Sequence, residues 1–148
     1  LVHQVVVADD GRKQVSGSEA HVRVASSALF RGRPERAEER VAALERALSK
    51  GEWRTAFEVS WAEFWDMHAL FETSQPSFGY MTKGSLEVLR EVRALTWDAR
   101  GDGPLVTMDA GANIHLLYRS DENGRELARL LRLRFQPRFP VITSEAVT

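Results

Sequence analysis

The alternation of apolar and polar positions along the chain predicts both strands and helices. Residues 2–9 (VHQVVVAD) are rich in β-branched side chains and end at the turn signal DDG, which favours a strand. Because this segment is apolar on both faces, we expect it to be central in its sheet. Residues 105–109 (LVTMD) and 113–119 (NIHLLYR) predict two more strands, joined through AGA as a hairpin. A last strand is predicted within residues 138–147.

Four other segments have the apolar spacing of helices. They are residues 33–51, 52–73, 85–99 and 121–131. In the third of them, the residues expected to point inward are Val88, Leu89, Val92 and Leu95. In the first of them, Pro34 suits the opening position and Gly51 suits the end. We expect the apolar stripe of this helix to pack on a core; the stripe consists of Ala37, Val41, Leu44 and Leu48. Residues 13–30, rich in serine and small side chains, predict an ordered loop that leads into a helical turn.

The order of these elements indicates an α+β fold. We expect a small, mostly antiparallel sheet with four helices layered against it. A chain of 148 residues is long enough for one domain with a hydrophobic core, so we predict a single domain over residues 1–148. The chain opens with LVHQVVV, in mid-strand and without an initiator methionine. Natural N-termini seldom begin inside an element, and we therefore expect the C-terminal part of a longer protein.

The second helical segment carries an aromatic stripe that includes a histidine. The stripe consists of Trp53, Phe57, Trp61, Phe64, His68 and Phe71. An aromatic stripe at helical spacing is typical of a core, and a core histidine bonded to the backbone is the simplest interpretation of His68. The alternative interpretation places His68 on the wall of a polar cleft.

Composition argues against several functional classes. Twenty Lys and Arg residues against 21 Asp and Glu give a net charge of −1, which provides no electrostatic case for binding nucleic acid or an anionic membrane. The lack of cysteine excludes disulfides and thiolate metal sites and is compatible with a cytoplasmic location. The four histidines lack the spacing of metal ligands, and no apolar run approaches the ~18 residues of a membrane span. We therefore predict no metal site and no membrane association.

Asp109 is the first candidate for chemistry. It ends an apolar strand at the rim of the core, where we expect a carboxylate to be partly desolvated. Gly111 leaves the backbone free for the close approach of a ligand, and Asn113 offers both a donor and an acceptor. Such a carboxylate could take a proton from a substrate hydroxyl. On spacing alone, a turn acid that bonds nearby backbone amides is the simpler interpretation.

Two further polar segments are candidates for binding. Ser16, Gly17 and Ser18 follow a strand and a turn, and short hydroxyl side chains on a free backbone suit phosphate oxygens. The alternative for this segment is a solvated loop. A basic helical face is usually solvated, and we expect this of the face formed by Arg125, Arg129 and Arg132.

The segment TMDAGAN (residues 107–113), followed by IHLL, resembles the signature of the mevalonate diphosphate decarboxylase family. In that signature a Thr/Phe-x-Asp-Ala-Gly-Pro-Asn segment precedes an apolar strand. Three other stretches resemble the same family in the same order along the chain, and the similarity spans about residues 13–119. They are KQVSGSEAHVRVASSALF (13–30), FWDMHALFETSQPSFGYMT (64–82) and SLEVLREVRAL (85–95).

The resemblance implies the fold of the galactokinase, homoserine kinase, mevalonate kinase and phosphomevalonate kinase superfamily. It also implies an ATP-dependent carboxy-lyase of isoprenoid biosynthesis. Such an enzyme uses ATP and Mg²⁺ to phosphorylate the tertiary 3-hydroxyl of mevalonate 5-diphosphate, and loss of that phosphate and of CO₂ gives isopentenyl diphosphate. The catalytic aspartate of the family falls on Asp109, and its phosphate-contacting serine falls on Ser16 or Ser18. His68 and Tyr80 match recurring family positions without an assigned step.

Two departures from the family pattern stand out. Ala112 occupies the position of the family's proline, so the bend after Asp109 is expected to be less rigid. The family's ATP phosphate loop and basic substrate anchors lie in an N-terminal half that these residues do not contain. We therefore expect ATP and Mg²⁺ to be bound mainly by that half, and the 148-residue chain alone to be inactive.

Other functions remain open on the sequence. A sibling small-molecule kinase or a mevalonate monophosphate decarboxylase would carry a similar pattern. A non-catalytic α+β module for dimerisation or ligand sensing is also compatible with the fold, because a fold does not determine a function. The sequence leaves the oligomeric state open, and a homodimer is one of the alternatives.

Overall fold

The computed structural model describes residues 1–11 and 15–145 of the chain. In chain order the elements are β1 (Val2–Val6), α1 (Gly17–Arg23), a 3₁₀ turn (Val24–Ser26), α2 (Arg33–Ser49), α3 (Trp53–Thr73), α4 (Lys83–Arg93), a π-helical turn (Ala94–Asp98), β2 (Leu105–Met108), β3 (Ile114–Tyr118), α5 (Glu122–Phe135) and β4 (Val141–Glu145). The chain divides into two compact units, which we call the sheet unit (Leu1–Asp10 with Thr82–Thr148) and the helical unit (Gly11–Met81). The predicted α+β class is confirmed, and the described residues hold five α-helices where the sequence predicts four.

The sheet unit is built on four antiparallel strands in the order β2-β3-β1-β4. The prediction that the first strand is central is therefore confirmed. The hairpin is confirmed too: Met108 pairs with Ile114, so that residues 109–113 form the connection. The last strand is observed over Val141–Glu145, and positions 146–147 of the predicted segment lie outside the described residues.

One face of this sheet is buried along β2, β3 and β1, whereas Thr143 of β4, on the same face, is exposed. Val6, Ile114 and Leu116 are inaccessible to solvent there, and α5 reaches the sheet through a buried polar chain. The Tyr118 hydroxyl donates to Gln4 Oε1 (2.9 Å), and Gln4 Nε2 donates to the carbonyl of Ala128 in α5 (2.9 Å). Burial along β1 alternates, so the expectation that both faces of this strand are apolar and buried is wrong. The buried face includes Gln4, whose amide oxygen and amide nitrogen each have a hydrogen-bond partner.

The helical unit consists of α1, the 3₁₀ turn, α2 and α3. Helix α1 lies in the segment predicted as a loop with a helical turn, of which positions 13–14 lie outside the described residues. It begins where Ser16 Oγ accepts a hydrogen bond from the amide of Glu19 (3.2 Å). The spacing Ser-x-x-Glu is the sequence signal of such a start.

Two details of the predicted helix faces are wrong. Val41 and Leu48 of α2 are 58% and 45% exposed, because α2 packs on α3 through a neighbouring face that carries the buried Ala47 and an ion-pair cluster. The cluster joins Arg33, Arg36 and Arg40 of α2 to Glu63 and Asp66 of α3. Leu95, expected to point inward, is 43% exposed because the wider π-helical turn rotates it away from the stripe of α4.

Among the described helices, none combines the length and the hydropathy that a membrane span requires.

Candidate functional site

The connection between β2 and β3, residues 109–113, carries Asp109 and is held at two points within the sheet unit. We call it the Asp109 bend. The hydroxyl of Ser85 donates to the carbonyl of Ala112 at 2.6 Å. The side-chain oxygen of Asn113 accepts from the backbone amides of Ala8 (3.1 Å) and Asp9 (3.4 Å). The bend is therefore tied to the first turn of α4 on one side and to the chain that follows β1 on the other.

The first turn of α4 reaches the bend because of its local sequence. Thr82 and Ser85 form a capping box: Thr82 Oγ1 accepts from the amide of Ser85 (3.1 Å), and Ser85 Oγ accepts from the amide of Thr82 (3.2 Å). A Cβ on Gly84 would lie 3.0 Å from the ring of Phe139 and 3.3 Å from the carbonyl of Ala8. The lack of a side chain there lets the helix start pack directly against the end of β1.

Asp109 itself is exposed to solvent, so the expectation of partial desolvation at the rim of the core is wrong for this chain. The strand ends one residue earlier, at Met108, and the carboxylate projects from the bend rather than from the buried strand. Gly111, in contrast, is buried. An exposed carboxylate on a tethered bend can meet a substrate that is bound against it.

Two histidines lie on the sheet close to Asp109. His3 Nε2 and His115 Nδ1 are 3.0 Å apart, and the rings are stacked with centroids 5.3 Å apart. Burial is the largest influence on His115 and lowers its pKa. The Asp109 carboxylate raises this pKa and the charge of His3 lowers it, so that the pKa of His115 lies below its ordinary value. Sequence reasoning missed this pair because it depends on the register of β1 against β3, two strands that are 112 positions apart.

The serine candidates belong to the helical unit. Ser16 caps α1 through its acceptor oxygen, which leaves its hydroxyl proton available to another acceptor. Ser18 lies in the first turn of α1, and both serines are exposed. The carbonyl of Val15, next to Ser16, accepts a hydrogen bond from the buried hydroxyl of Tyr80 (2.9 Å).

His68 and Tyr80 are buried together in the aromatic core of the helical unit. Their ring centroids are 6.3 Å apart in an edge-on arrangement, and Phe71 packs edge-on against both rings. The core interpretation of the aromatic stripe is confirmed by the burial of Phe57, Phe64, His68 and Phe71. A role of His68 and Tyr80 in a cleft wall stays a prediction.

The basic face predicted on α5 is exposed. Arg129 donates to both carboxylate oxygens of Glu126 (2.9 and 2.8 Å), as expected for a solvated surface ion pair. Across residues 1–11 and 15–145, no group of three or more His, Asp or Glu side chains is arranged to hold a metal ion.

Comparison with known proteins identifies the family. A family model described as the mevalonate 5-diphosphate decarboxylase C-terminal domain matches residues 3–146. The chain belongs to this family. The resemblance of the TMDAGAN segment and its neighbours to mevalonate diphosphate decarboxylases is thereby confirmed. No curated protein sequence matches the chain.

Solved decarboxylase structures share the fold of this domain. The mevalonate diphosphate decarboxylase of Legionella pneumophila is 38% identical with a TM-score of 0.87, over 95% of this chain and 44% of that one. The mevalonate pyrophosphate decarboxylase of Streptococcus pyogenes is 23% identical with a TM-score of 0.83, over 99% of this chain and 45% of that one. A structure of MDDEF in complex with MVAPP, AMPPCP and magnesium is 23% identical with a TM-score of 0.77, over 98% and 46%. At 23% identity, the last two structures show only that the fold is shared. The chain spans less than half the length of each of these three proteins.

Proposed function

We propose that this chain is the C-terminal domain of an ATP-dependent decarboxylase that converts mevalonate 5-diphosphate to isopentenyl diphosphate, phosphate and CO₂. The observation that carries the proposal is the tethered Asp109 bend in a chain of the decarboxylase family. The N-terminal half of the same enzyme is the proposed partner, and the cytoplasm is the proposed location.

Asp109 is the proposed catalytic base. A tertiary alcohol is a weak nucleophile, and a fixed carboxylate can orient the 3-hydroxyl of the substrate and accept its proton during phosphoryl transfer. ATP with Mg²⁺ supplies the phosphoryl group when bound. ATP and Mg²⁺ are proposed to be bound mainly by the N-terminal half of the same enzyme, as the family resemblance implies.

The remaining candidates would bind the substrate. The hydroxyl of Ser16 or of Ser18 is proposed to donate to a phosphate oxygen. The side-chain oxygen of Asn113 accepts hydrogen bonds from two backbone amides. We therefore propose that its NH₂ group donates to the substrate. Gly111 is buried and can contribute only through its backbone.

A product assay on the full-length protein that carries this domain tests the function. With mevalonate 5-diphosphate and Mg-ATP, we expect equal amounts of ADP, phosphate and CO₂, and no turnover from the 148-residue chain alone. A stable 3-phosphate without CO₂ would instead identify a kinase. Decarboxylation only of the monophosphate would identify the sibling decarboxylase, and binding without turnover of any mevalonate phosphate would favour a non-catalytic module.

A further inference from the structure

The hydrogen bond between Ser85 and Ala112 joins the rigid start of a helix to the bend that carries Asp109. At 2.6 Å it is a short O–H···O contact. Ser85 is fully buried and Ala112 is half-buried, so the donor side of this bond is shielded from solvent. The bond is therefore expected to persist in the folded protein.

The orientation of the Ser85 hydroxyl is itself determined by the capping box. Its oxygen accepts from the amide of Thr82 while its proton is donated to Ala112. The same hydroxyl group therefore acts as an acceptor within the helix cap and as a donor to the bend. The bend is thereby tied to the first turn of α4 through a hydroxyl that is itself held by the helix cap.

The bend needs such a tether because its backbone is not stiffened from within. Residues 110–112 are Ala-Gly-Ala, with neither a β-branched side chain nor a proline. Asn113 ties the far end to Ala8 and Asp9, but Asp109 lies four residues before it. Of these two ties, the bond from Ser85 lies nearer to Asp109 along the chain.

We propose that Ser85 is a positioning residue for Asp109, which acts on the substrate through the backbone of Ala112. The proposal rests on the proposed function of Asp109. Catalysis by a carboxylate depends on its placement, and a misplacement of about 1 Å can cost roughly a hundredfold in rate. Loss of the anchor therefore lowers turnover more than substrate binding.

Ser85→Ala in the full-length enzyme tests the proposal, with Thr82→Ala as the matched control. Thr82→Ala removes the other half of the capping box, including the 3.1 Å contact between Thr82 Oγ1 and Ser85 Oγ, but it keeps the Ser85 hydroxyl that donates to Ala112. We expect Ser85→Ala to lower kcat roughly tenfold to a hundredfold, with KM for mevalonate 5-diphosphate changed less than about threefold. Thr82→Ala should lower the melting temperature and leave kcat near that of the parent. Equal losses of kcat in the two variants would show that Ser85 acts only through the helix cap and would overturn the proposal.

Hydrogen exchange, measured by mass spectrometry on the same proteins, gives a readout that does not depend on activity. We expect Ser85→Ala to speed exchange in peptides that span residues 109–113, and Thr82→Ala to affect only the start of α4. Unchanged exchange in the bend would overturn the proposal even if Asp109 proves essential. If the bend loosens but Asp109→Asn retains full turnover, the anchor is real, the proposed role of Asp109 fails, and the positioning role for catalysis fails with it.

Ser85→Cys covers the case in which Ser85→Ala does not fold. A thiol is larger than the hydroxyl and is a weak donor, so it cannot reproduce the 2.6 Å bond to Ala112. We expect this variant to fold and to show the same loss of kcat and the same faster exchange in the bend. Parent-like kcat and exchange in Ser85→Cys would contradict the proposal.

Discussion

Removing the hydroxyl of Tyr118 tests the polar chain that crosses the core of the sheet unit. This hydroxyl donates to Gln4 Oε1, and Gln4 Nε2 donates to the Ala128 carbonyl. Tyr118 and Gln4 are only 1% and 2% exposed. Burial raises the pKa of Tyr118 far above its ordinary value, so the phenol keeps its proton at every pH at which the protein is studied.

The loss of stability expected for Tyr118→Phe follows from the acceptor that the substitution leaves without a donor. The ring remains, so packing changes by one oxygen atom, while Gln4 Oε1 loses its donor in a site that water cannot reach. An unsatisfied buried acceptor costs about 1–3 kcal/mol, and we expect the free energy of unfolding to fall by that amount. Replacing Gln4 by Met in the same protein removes the unsatisfied group. Since the Ala128 carbonyl also serves the hydrogen-bond ladder of α5, the double variant should regain most of the loss.

Urea denaturation followed by far-UV circular dichroism measures these differences in the free energy of unfolding. The parent, Tyr118→Phe, Gln4→Met and the double variant form a double-mutant cycle. We expect a coupling free energy of about 1–2 kcal/mol between Gln4 and Tyr118. A Tyr118→Phe variant within ~0.3 kcal/mol of the parent, or additive effects of the two substitutions, would refute the reasoning.

Four further predictions concern pH and a glycine. Burial opposes the ionisation of Asp66, but hydrogen bonds from two arginines outweigh burial and lower the pKa of this carboxyl. Asp66→Asn should therefore lower the free energy of unfolding by about 1–3 kcal/mol at neutral pH. Urea denaturation should find little difference once the pH has fallen below the folded pKa of Asp66. Because the pKa of His115 is lowered, the free energy of unfolding should decrease as the pH falls through the unfolded value near ~6.5, and His115→Gln should flatten this decrease. In NMR titrations, Asp109→Asn should lower the His115 pKa further, because the carboxylate raises it. Gly124→Ala should lower the melting temperature, since the added Cβ would lie 2.1 Å from the Arg119 carbonyl, although alanine is the better helix former by ~1 kcal/mol.

Each of these has a contradicting outcome. A decrease of stability at low pH that is as steep in His115→Gln as in the parent would show that His115 does not cause it. A loss in Asp66→Asn that is the same at every pH would show that its charge contributes nothing. A His115 pKa that rises in Asp109→Asn would show that the carboxylate does not act on the ring. A more stable Gly124→Ala would show that the backbone of Arg119 can move away.

The elements of the fold were predictable because each follows from local periodicity. The alternating strands and the 3.6-residue stripes can be read within windows of about ten residues, and β1, β3 and α3 were found in this way. The π-helical turn after α4 and the rotation of the α2 stripe were not. Both depend on which neighbour a helix meets, and the local pattern does not contain that information.

The candidate site was predictable only in part for the same reason. Asp109 and Asn113 stand out in the sequence because small residues surround them and because the segment resembles a family signature. Their anchors do not stand out: Ser85 lies 27 positions from Ala112, and Ala8 lies 105 positions from Asn113. Such pairs are brought together by strand register and helix docking, which the sequence alone does not determine.

Asp109→Asn in the full-length enzyme tests the central claim most directly. The amide keeps the size of the side chain and removes the base. Steady-state turnover of mevalonate 5-diphosphate with Mg-ATP should fall by roughly 10²–10⁴-fold, the usual contribution of a general base, while a direct binding measurement should find mevalonate 5-diphosphate bound nearly as tightly as by the parent. A turnover within about threefold of the parent, which is ~0.6 kcal/mol in the barrier, would contradict the account.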